Sequence, residues 1–453
     1  MSIRGRSFAG AFALAEQVDI DTPNSTPDVY IPVTSESVGT NRPLIERAGV
    51  YSSPEVQRTQ GGLEVNNGDF SLEADGVALG LPLKFLIGKV TTAAKAGSIT
   101  AAATATGGTS GTLADGNVQY RVANVFTRSL DGRRHIGGAA PLSTAVTLSG
   151  GGNGSVALSW TNATPPAGYT LTGTAIYRKV GSGDCLRIAY QAGSGTTYDD
   201  NGSSAQTSEV PPEPGFVHTF IPSIDLDDLD LPSFTVIKML DIAESRMIAG
   251  CKMGQMTCTV AEDGNSPVNF TFGLLGREAT KVANGSPTYT PVCSMLSHQS
   301  RVWIDGVVTN VAKALSITVN NNLQSVKVLD GNAFPKDHSE GMRQIGGTFT
   351  LGAENHDQWD RLKNGMPFAV LASIEGEGTT DGAAFRIDSN TVATPFPFEC
   401  DFHMPKCKYD GTAGGNLNGS ELMNEQPNYK ANFSLADGYT LRIRLTNRVA
   451  SLA

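Results

Sequence analysis

Any chemistry in this 453-residue chain would have to come from a few short stretches. Cys400, Asp401, His403 and Cys407 fall within eight residues, a spacing that zinc tolerates. A structural zinc site needs four ligands, and no fourth Cys or His lies nearby. Phe398 and Phe402 flank the group, so buried strand residues are the plainer reading. Glu354, His356 and Asp357 could imitate an acid–base set, but they fall on a short helix expected to serve packing. Glu375-Gly-Glu377-Gly and Thr379-Thr-Asp381-Gly382 offer carboxylates without calcium-loop spacing and read as a hairpin tip. Cys251 and Cys258 flank a predicted turn and read as small core hydrophobes. No P-loop, His-Glu-x-x-His or Gly-x-Ser-x-Gly occurs. The expectation is therefore no catalytic residue, no metal and no cofactor.

The densest charge is Ile224-Asp225-Leu-Asp227-Asp228-Leu-Asp230. Such a run is usually a solvated loop. Composition points the same way. Lys and Arg number 34 against 44 Asp and Glu, a net charge of −10, with 17% charged residues and 51 Gly. No apolar run spans a bilayer. A 40% hydrophobic chain is not disordered, and net acidity argues against wrapping nucleic acid through its phosphates. What remains is a Gly-rich, weakly charged chain whose surface meets other protein surfaces. Six scattered Cys without a CxxC pair fit a reducing compartment. The start, Met1 to Ala15, imitates a short signal peptide but is only weakly hydrophobic and reads as an arm.

Positioning falls to strands. Val268–Leu274, Leu315–Val319, Phe433–Leu435 and Tyr439–Leu445 alternate apolar and polar residues with period two. Two short helices are expected, over Val77–Ile87 broken by Pro82, and over Asn355–Leu362 with Trp359 and Leu362 on one face. The class is mainly β. Thr91–Gly116 and Asn201–Gly215 read as linkers. Between them, Gln119–Val125, Ser155–Trp160, Gly173–Arg178, Cys185–Tyr190 and Thr197–Asp199 have the spacing of a small sandwich, with Trp160 in its core. This insert resembles a fibronectin type III or immunoglobulin-like module.

Outside the insert the sequence echoes itself. Gly68-Asp-Phe70-Ser-Leu72 matches Gly347-Thr-Phe349-Thr-Leu351, and Leu83-Lys84 matches Leu362-Lys363, both 279 positions apart. A fixed offset is a repeat signature. A second echo runs from Ser233–Ile237 and from Phe396–Phe398. The predicted division is 1–95 with 214–285 as a first unit, 96–213 as the insert and 286–453 as a second unit.

The stretch from Phe234 through Gly250-Cys251, Met256-Thr-Cys258-Thr-Val260 and Val268-Asn-Phe-Thr-Phe272, with Leu315–Asn321 and Gly346–Leu351, resembles tail tube proteins of tailed bacteriophages. The resemblance implies a tail-tube-type β-sandwich or barrel with a flanking helix, whose inner sheets join around a ring. Rings stack into the conduit for genome ejection. Two units per chain would make a trimeric, pseudo-hexameric ring, with a hexamer of chains as the alternative. Self, the tape measure, the tail terminator and the distal tail are the implied partners, with genomic DNA passing through unbound. Location in the virion tail after assembly in the host cytoplasm, and a long non-contractile tail with the insert outward, complete the expectation. Asn269, Thr271 and Gly273 are candidate lumen or interface positions. Asp225, Asp227, Asp228 and Asp230 are candidate lumen or rim acids. Another self-assembling virion part (a tail terminator, or a decorated capsid or sheath protein), or a secreted carbohydrate-binding adhesin, are the alternatives.

Overall fold

The computed structural model describes residues 10–46, 59–130, 132–149, 151–223, 230–240, 244–289, 294–352, 357–376, 385–386, 392–411 and 424–452. Within them, period-two alternation becomes strand almost wherever it occurs. The first part of the chain supplies β1 (Ala11–Glu16), β2 (Val29–Ile31), β3 (Val33–Glu36), β4 (Gly39–Asn41), β5 (Val65–Glu73) and α1 (Gly80–Ile87). After it come β6 (Val90–Ala94), the insert, and β7 (Phe216–Phe220), followed by β8 (Phe234–Met239), β9 (Glu244–Val260), β10 (Asn269–Gly276) and β11 (Glu278–Ala283). The remainder supplies β12 (Ser300–Ile304), β13 (Val307–Val308), β14 (Ala312–Asn320), β15 (Gln344–Gly352), α2 (Asp357–Asn364), β16 (Phe368–Glu375), β17 (Glu399–Asp410), β18 (Asn428–Ala431) and β19 (Arg442–Asn447).

The two halves pair their strands in the same way. β2–β1–β8–β9–β10–β5–β3 in the first half is repeated by β13–β12–β16–β17–β18–β15–β14 in the second. The register repeats as well. Val33 faces Leu72 and Ala312 faces Leu351, each followed by a one-residue bulge; Gly39 faces Asn67 and Thr318 faces Gly346. All four pairs keep the 279 offset, which therefore covers β3–β5 as well as the Phe-(Ser/Thr)-Leu motif. In both halves the long strand bends from one sheet into the other. β9 does so between Ile248 and Cys251, where Gly250 has φ 62, and β17 between Met404 and Cys407, at Pro405. The pairing aligns Phe234 with Phe368, not with Phe396 as the sequence echo suggests, because the insert changes the offset.

Each half is thus a sandwich. In the first, Phe12, Phe70, Phe272 and Phe270 form a chain of ring contacts across the interior, with centroids 4.9, 5.4 and 6.2 Å apart. Burying each phenyl removes enough apolar surface to stabilise by about 1.5–3 kcal/mol. α1 seals the interior. Seven of its eight residues are buried, and Phe85 stacks on Phe234 at 4.4 Å. Pro82 does not break this helix. It is the third residue, where the missing N–H has no intrahelical acceptor in any case, so the helix simply starts at Gly80. α2 lies over β17 with no buried residue, and Trp359 stays 41% exposed under the Lys363 ammonium. The expected packing face of Trp359 and Leu362 is not covered by the described residues.

The Thr91–Gly116 stretch is not a linker. Its start belongs to β6, paired with β7, and Thr104–Leu113 is an edge strand paired with Gly154–Ser159. Thr favours extended backbone, and small residues cost little on an exposed edge. Phe433–Leu435 is not a strand either. Ser434 closes a turn through Asp437, and Leu435 is 92% exposed.

The insert forms two packed sheets around Tyr120, Val122, Val156, Leu158, Trp160 and Ile176. Trp160 is buried, as its position predicts. Arg178 and the Tyr120 hydroxyl both reach the buried Asp200 at 2.8 Å. The insert's larger sheet is continued by the later part of the chain. Val392–Pro395 pairs in parallel with Arg134–Ile136, and Phe385–Arg386 adds outside it. β7 pairs with β19, so the stem of the insert extends the second sandwich's outer sheet.

Candidate conduit surface

The stretches that could have held chemistry are described in part. Cys400 and Cys407 are fully buried strand residues, and burial pushes the Cys407 thiol up to about 12. His403 meets the Tyr439 hydroxyl at 2.7 Å, and burial lowers its pKa. Asp401 is raised by burial. No cluster of three His, Cys, Asp or Glu positions a metal among the described residues. Cys251 and Cys258 do not flank a turn but sit on the single strand β9. Glu375 is no hairpin tip. It ends β16 and accepts the Arg128 guanidinium of the insert at 3.0 Å. Glu354, His356, Glu377, Thr379 and Asp381 lie outside the described residues.

Asp225, Asp227 and Asp228 also lie outside them. The Asp230 side chain is 93% exposed. Its carboxylate is 3.8 Å from the buried Lys252 ammonium, which also meets Asp337 at 3.5 Å and Glu340 at 3.0 Å.

What the fold builds instead is one broad sheet. The C-terminal half of β9 pairs with β10 on one side and with β14 on the other, from Gln255–Asn320 to Val260–Leu315. The two sandwiches are thereby joined edge to edge, in the order β3/β4–β5–β10–β9–β14–β15–β18. One face of this sheet is apolar and buried, with Phe70, Phe272, Met256, Val319 and Ile345 in one cross-strand line.

The other face is polar and runs in rows. Ser71, Thr271, Thr257, Thr318, Gly346 and Lys430 form one row; Glu73, Asn269, Thr259, Ser316, Thr348 and Asn428 the next; Asp69, Gly273, Gln255, Asn320 and Gln344 a third. Asn269 and Thr271 therefore fall on the open face, as the alternation predicts. Gly273 does too, but it is closed over. A Cβ there would stand 2.6 Å from both Asp69 Oδ1 and Gln255 Cγ. Hydroxyls bind one another across strands, as Ser71 and Thr271 do at 2.8 Å. Of these three rows only Asp69, Glu73 and Lys430 carry charge, and Lys430 is paired with Asp410 at 2.6 Å. A surface of hydroxyls and amides whose unpaired charges are carboxylates offers phosphates nothing to hold them.

Sequence reasoning missed the β9–β14 join. Its signal was present, since Val33–Asn41 and Ala312–Asn320 share the 279 offset, so one free and one occupied edge could have been inferred.

A family model described as phage tail tube protein matches residues 7–418. No curated protein matches the chain. No helix among the described residues is long and apolar enough to cross a membrane.

Proposed function

The chain belongs to the phage tail tube protein family, and on that premise we propose that three copies close into a ring whose inner wall is the joined polar-faced sheet. As a member it is a structural component of the tail, self-assembling into the tube alongside other tail proteins. The observation that carries the three-copy reading is the β9–β14 join. One chain already holds two units side by side with one pairing pattern, so it supplies two sixths of a pseudo-sixfold ring. Ring closure removes the remaining sheet edges, and the contacts are heterologous and cyclic.

In this reading the polar rows face the lumen, rings stack into a continuous tube, and DNA passes during ejection without being held. Residues 1–95 with 214–285 form the first unit and 286–453 the second, except that β6 and β7 extend the second sandwich and that Phe385–Arg386 and Val392–Pro395 serve the insert's sheet. The insert of residues 96–213, with its fibronectin- or immunoglobulin-like strand spacing, projects outward, where it would crowd a sheath. A long non-contractile tail follows. Asp225, Asp227, Asp228 and Asp230 line the rim of the lumen. Native mass spectrometry of a single dissociated ring tests the stoichiometry. Three chains are expected, and six would overturn it.

A further inference from the structure

The join between the two units has a free counterpart at the start of the chain. β14 is flanked on both sides, by β15 and by β9, whereas its equivalent, β3–β4, pairs among the described residues only with β5. The edge left open in one chain is Glu36–Asn41, the counterpart of Leu315–Asn320. Within this edge the Ser37 N–H donates to Asp69 on β5, so by the alternation of an antiparallel ladder the Val38 N–H and C=O face the open side. In the second unit the same position is Ile317, which faces Cys258 of β9.

The open position is not bare. The Val38 N–H donates to Glu36 Oε2 at 3.1 Å, and the Lys238 ammonium donates to the Val38 carbonyl at 3.1 Å. Glu36 and Lys238 also bind each other, at 2.5 Å. The second unit provides an internal control. The residue equivalent to Glu36 is Leu315 and the one equivalent to Lys238 is Ala372, both apolar and buried. Where the edge is occupied by a strand, no charged pair stands. Where it is free, a charged pair holds the backbone groups that a strand would need.

We propose that Glu36 and Lys238 form a latch over the edge that receives the next copy of this chain, and that the latch must open before a ring closes. The inference rests on the ring reading above. It commits the edge to one occupant, the end of β17 of a second copy, because Lys408, Tyr409 and Asp410 stand to β18 as Lys252, Met253 and Gln255 of β9 stand to β10. Charged residues that hold an edge closed are a known defence against uncontrolled strand pairing, and here the defence is removable. The expected contact follows from the internal join. There Gln255 faces Asn320. By ladder pairing the equivalents are Asp410 at the end of β17 and Asn41 on the free edge, both exposed.

Two variants test this in the full-length protein. Glu36→Leu with Lys238→Ala installs the second unit's residues and should lower the concentration at which rings form about tenfold, the ratio for about 1.4 kcal/mol. Unchanged or weakened assembly of the folded variant would overturn the latch, and Lys238→Ala alone keeps the test readable if the double variant does not fold. Asn41→Cys with Asp410→Cys should give, on mild oxidation of assembled rings, a ladder of covalently linked chains. Intact rings without cross-links would overturn the edge assignment. A ladder ending at six chains instead of three would refute the trimeric reading and leave the latch standing.

Discussion

Cys251 and Cys407 occupy one position in two copies of the same bent strand. Each thiol points to the carbonyl three residues back, Cys251 to Ile248 at 3.3 Å and Cys407 to Met404 at 3.8 Å. Each faces an aligned phenylalanine across the ladder, Phe234 and Phe368 respectively. A small, polarisable side chain suits a site where a strand leaves one sheet for another, because a larger one would collide with the bend.

Burial pushes both thiols above the ordinary cysteine range, as it does Cys258 and Cys400. Alkylation needs the thiolate, so at pH 8 these four should stay unmodified in the native protein and react on unfolding. Cys185, half-buried with its pKa pushed up to about 11, should react slowly but first among the five. Mass mapping after iodoacetamide checks this. Labelling of Cys251 at the rate of a free thiol would show that the bulge opens readily.

The strands, the mainly β class and the fixed offset were legible because alternation and a Phe-(Ser/Thr)-Leu motif survive in single residues. The later half of the repeat was not. After α1 the first unit carries β6, the insert and β7 before β8, whereas α2 reaches β16 in three residues. The offset changes from 279 to 134 at Phe234–Phe368 and to 156 at Cys251–Cys407. Equivalent residues also differ in chemistry, as Lys238 and Ala372 do, because one edge is free and the other taken. Thr104–Leu113 was illegible for another reason. An exposed edge strand needs few bulky residues, so its composition imitates a linker.

The insert is tied to the second unit by Arg128 and Glu375, whose side chains keep only 8% and 20% of their surface. Removing one partner of a fully buried pair costs roughly 3–5 kcal/mol. The remaining exposure of Glu375 reduces that, so Arg128→Ala should destabilise by about 2–3 kcal/mol. Phe396, stacked on His135 at 5.7 Å, and Lys95 with Glu399 at 2.8 Å hold the same junction. Denaturant titration checks the value. A loss below about 0.5 kcal/mol, the range of an unimportant surface change, would mean the pair contributes little.

Acid should weaken the fold. His218 bridges Thr92 and Asn447 at 2.8 and 2.9 Å, and burial lowers its pKa below the ordinary 6.5. His338 and His403 shift the same way, also by burial. Between the lowered values and 6.5 the unfolded chain binds more protons than the folded one, so stability falls as pH drops through that window. Asp75 and Asp401, raised by burial, act in the opposite sense, starting from 3.8. The melting temperature should be lower at pH 5.5 than at pH 7.5, and His218→Gln should reduce the difference. An equal or higher value at pH 5.5 would contradict the assignment.

The polar rows make the sharpest prediction about the conduit. If they line a lumen, cationic residues placed there should convert a passive wall into a DNA-binding one. Thr271→Lys and Thr348→Lys lie on adjacent rows, one in each unit, with side chains on the open face and no core contact to lose. Tubes should still form, because neither change touches the apolar face. Each phosphate neutralised adds close to one unit to the salt dependence of affinity. Tubes of the double variant should therefore retain duplex DNA at low salt and release it steeply as salt rises, and particles carrying them should eject their genome more slowly. Wild-type tubes should retain none. If the lysine variant ejects at the wild-type rate from normal tubes, these rows do not face the passing DNA, and the lumen must be formed by another surface of the ring.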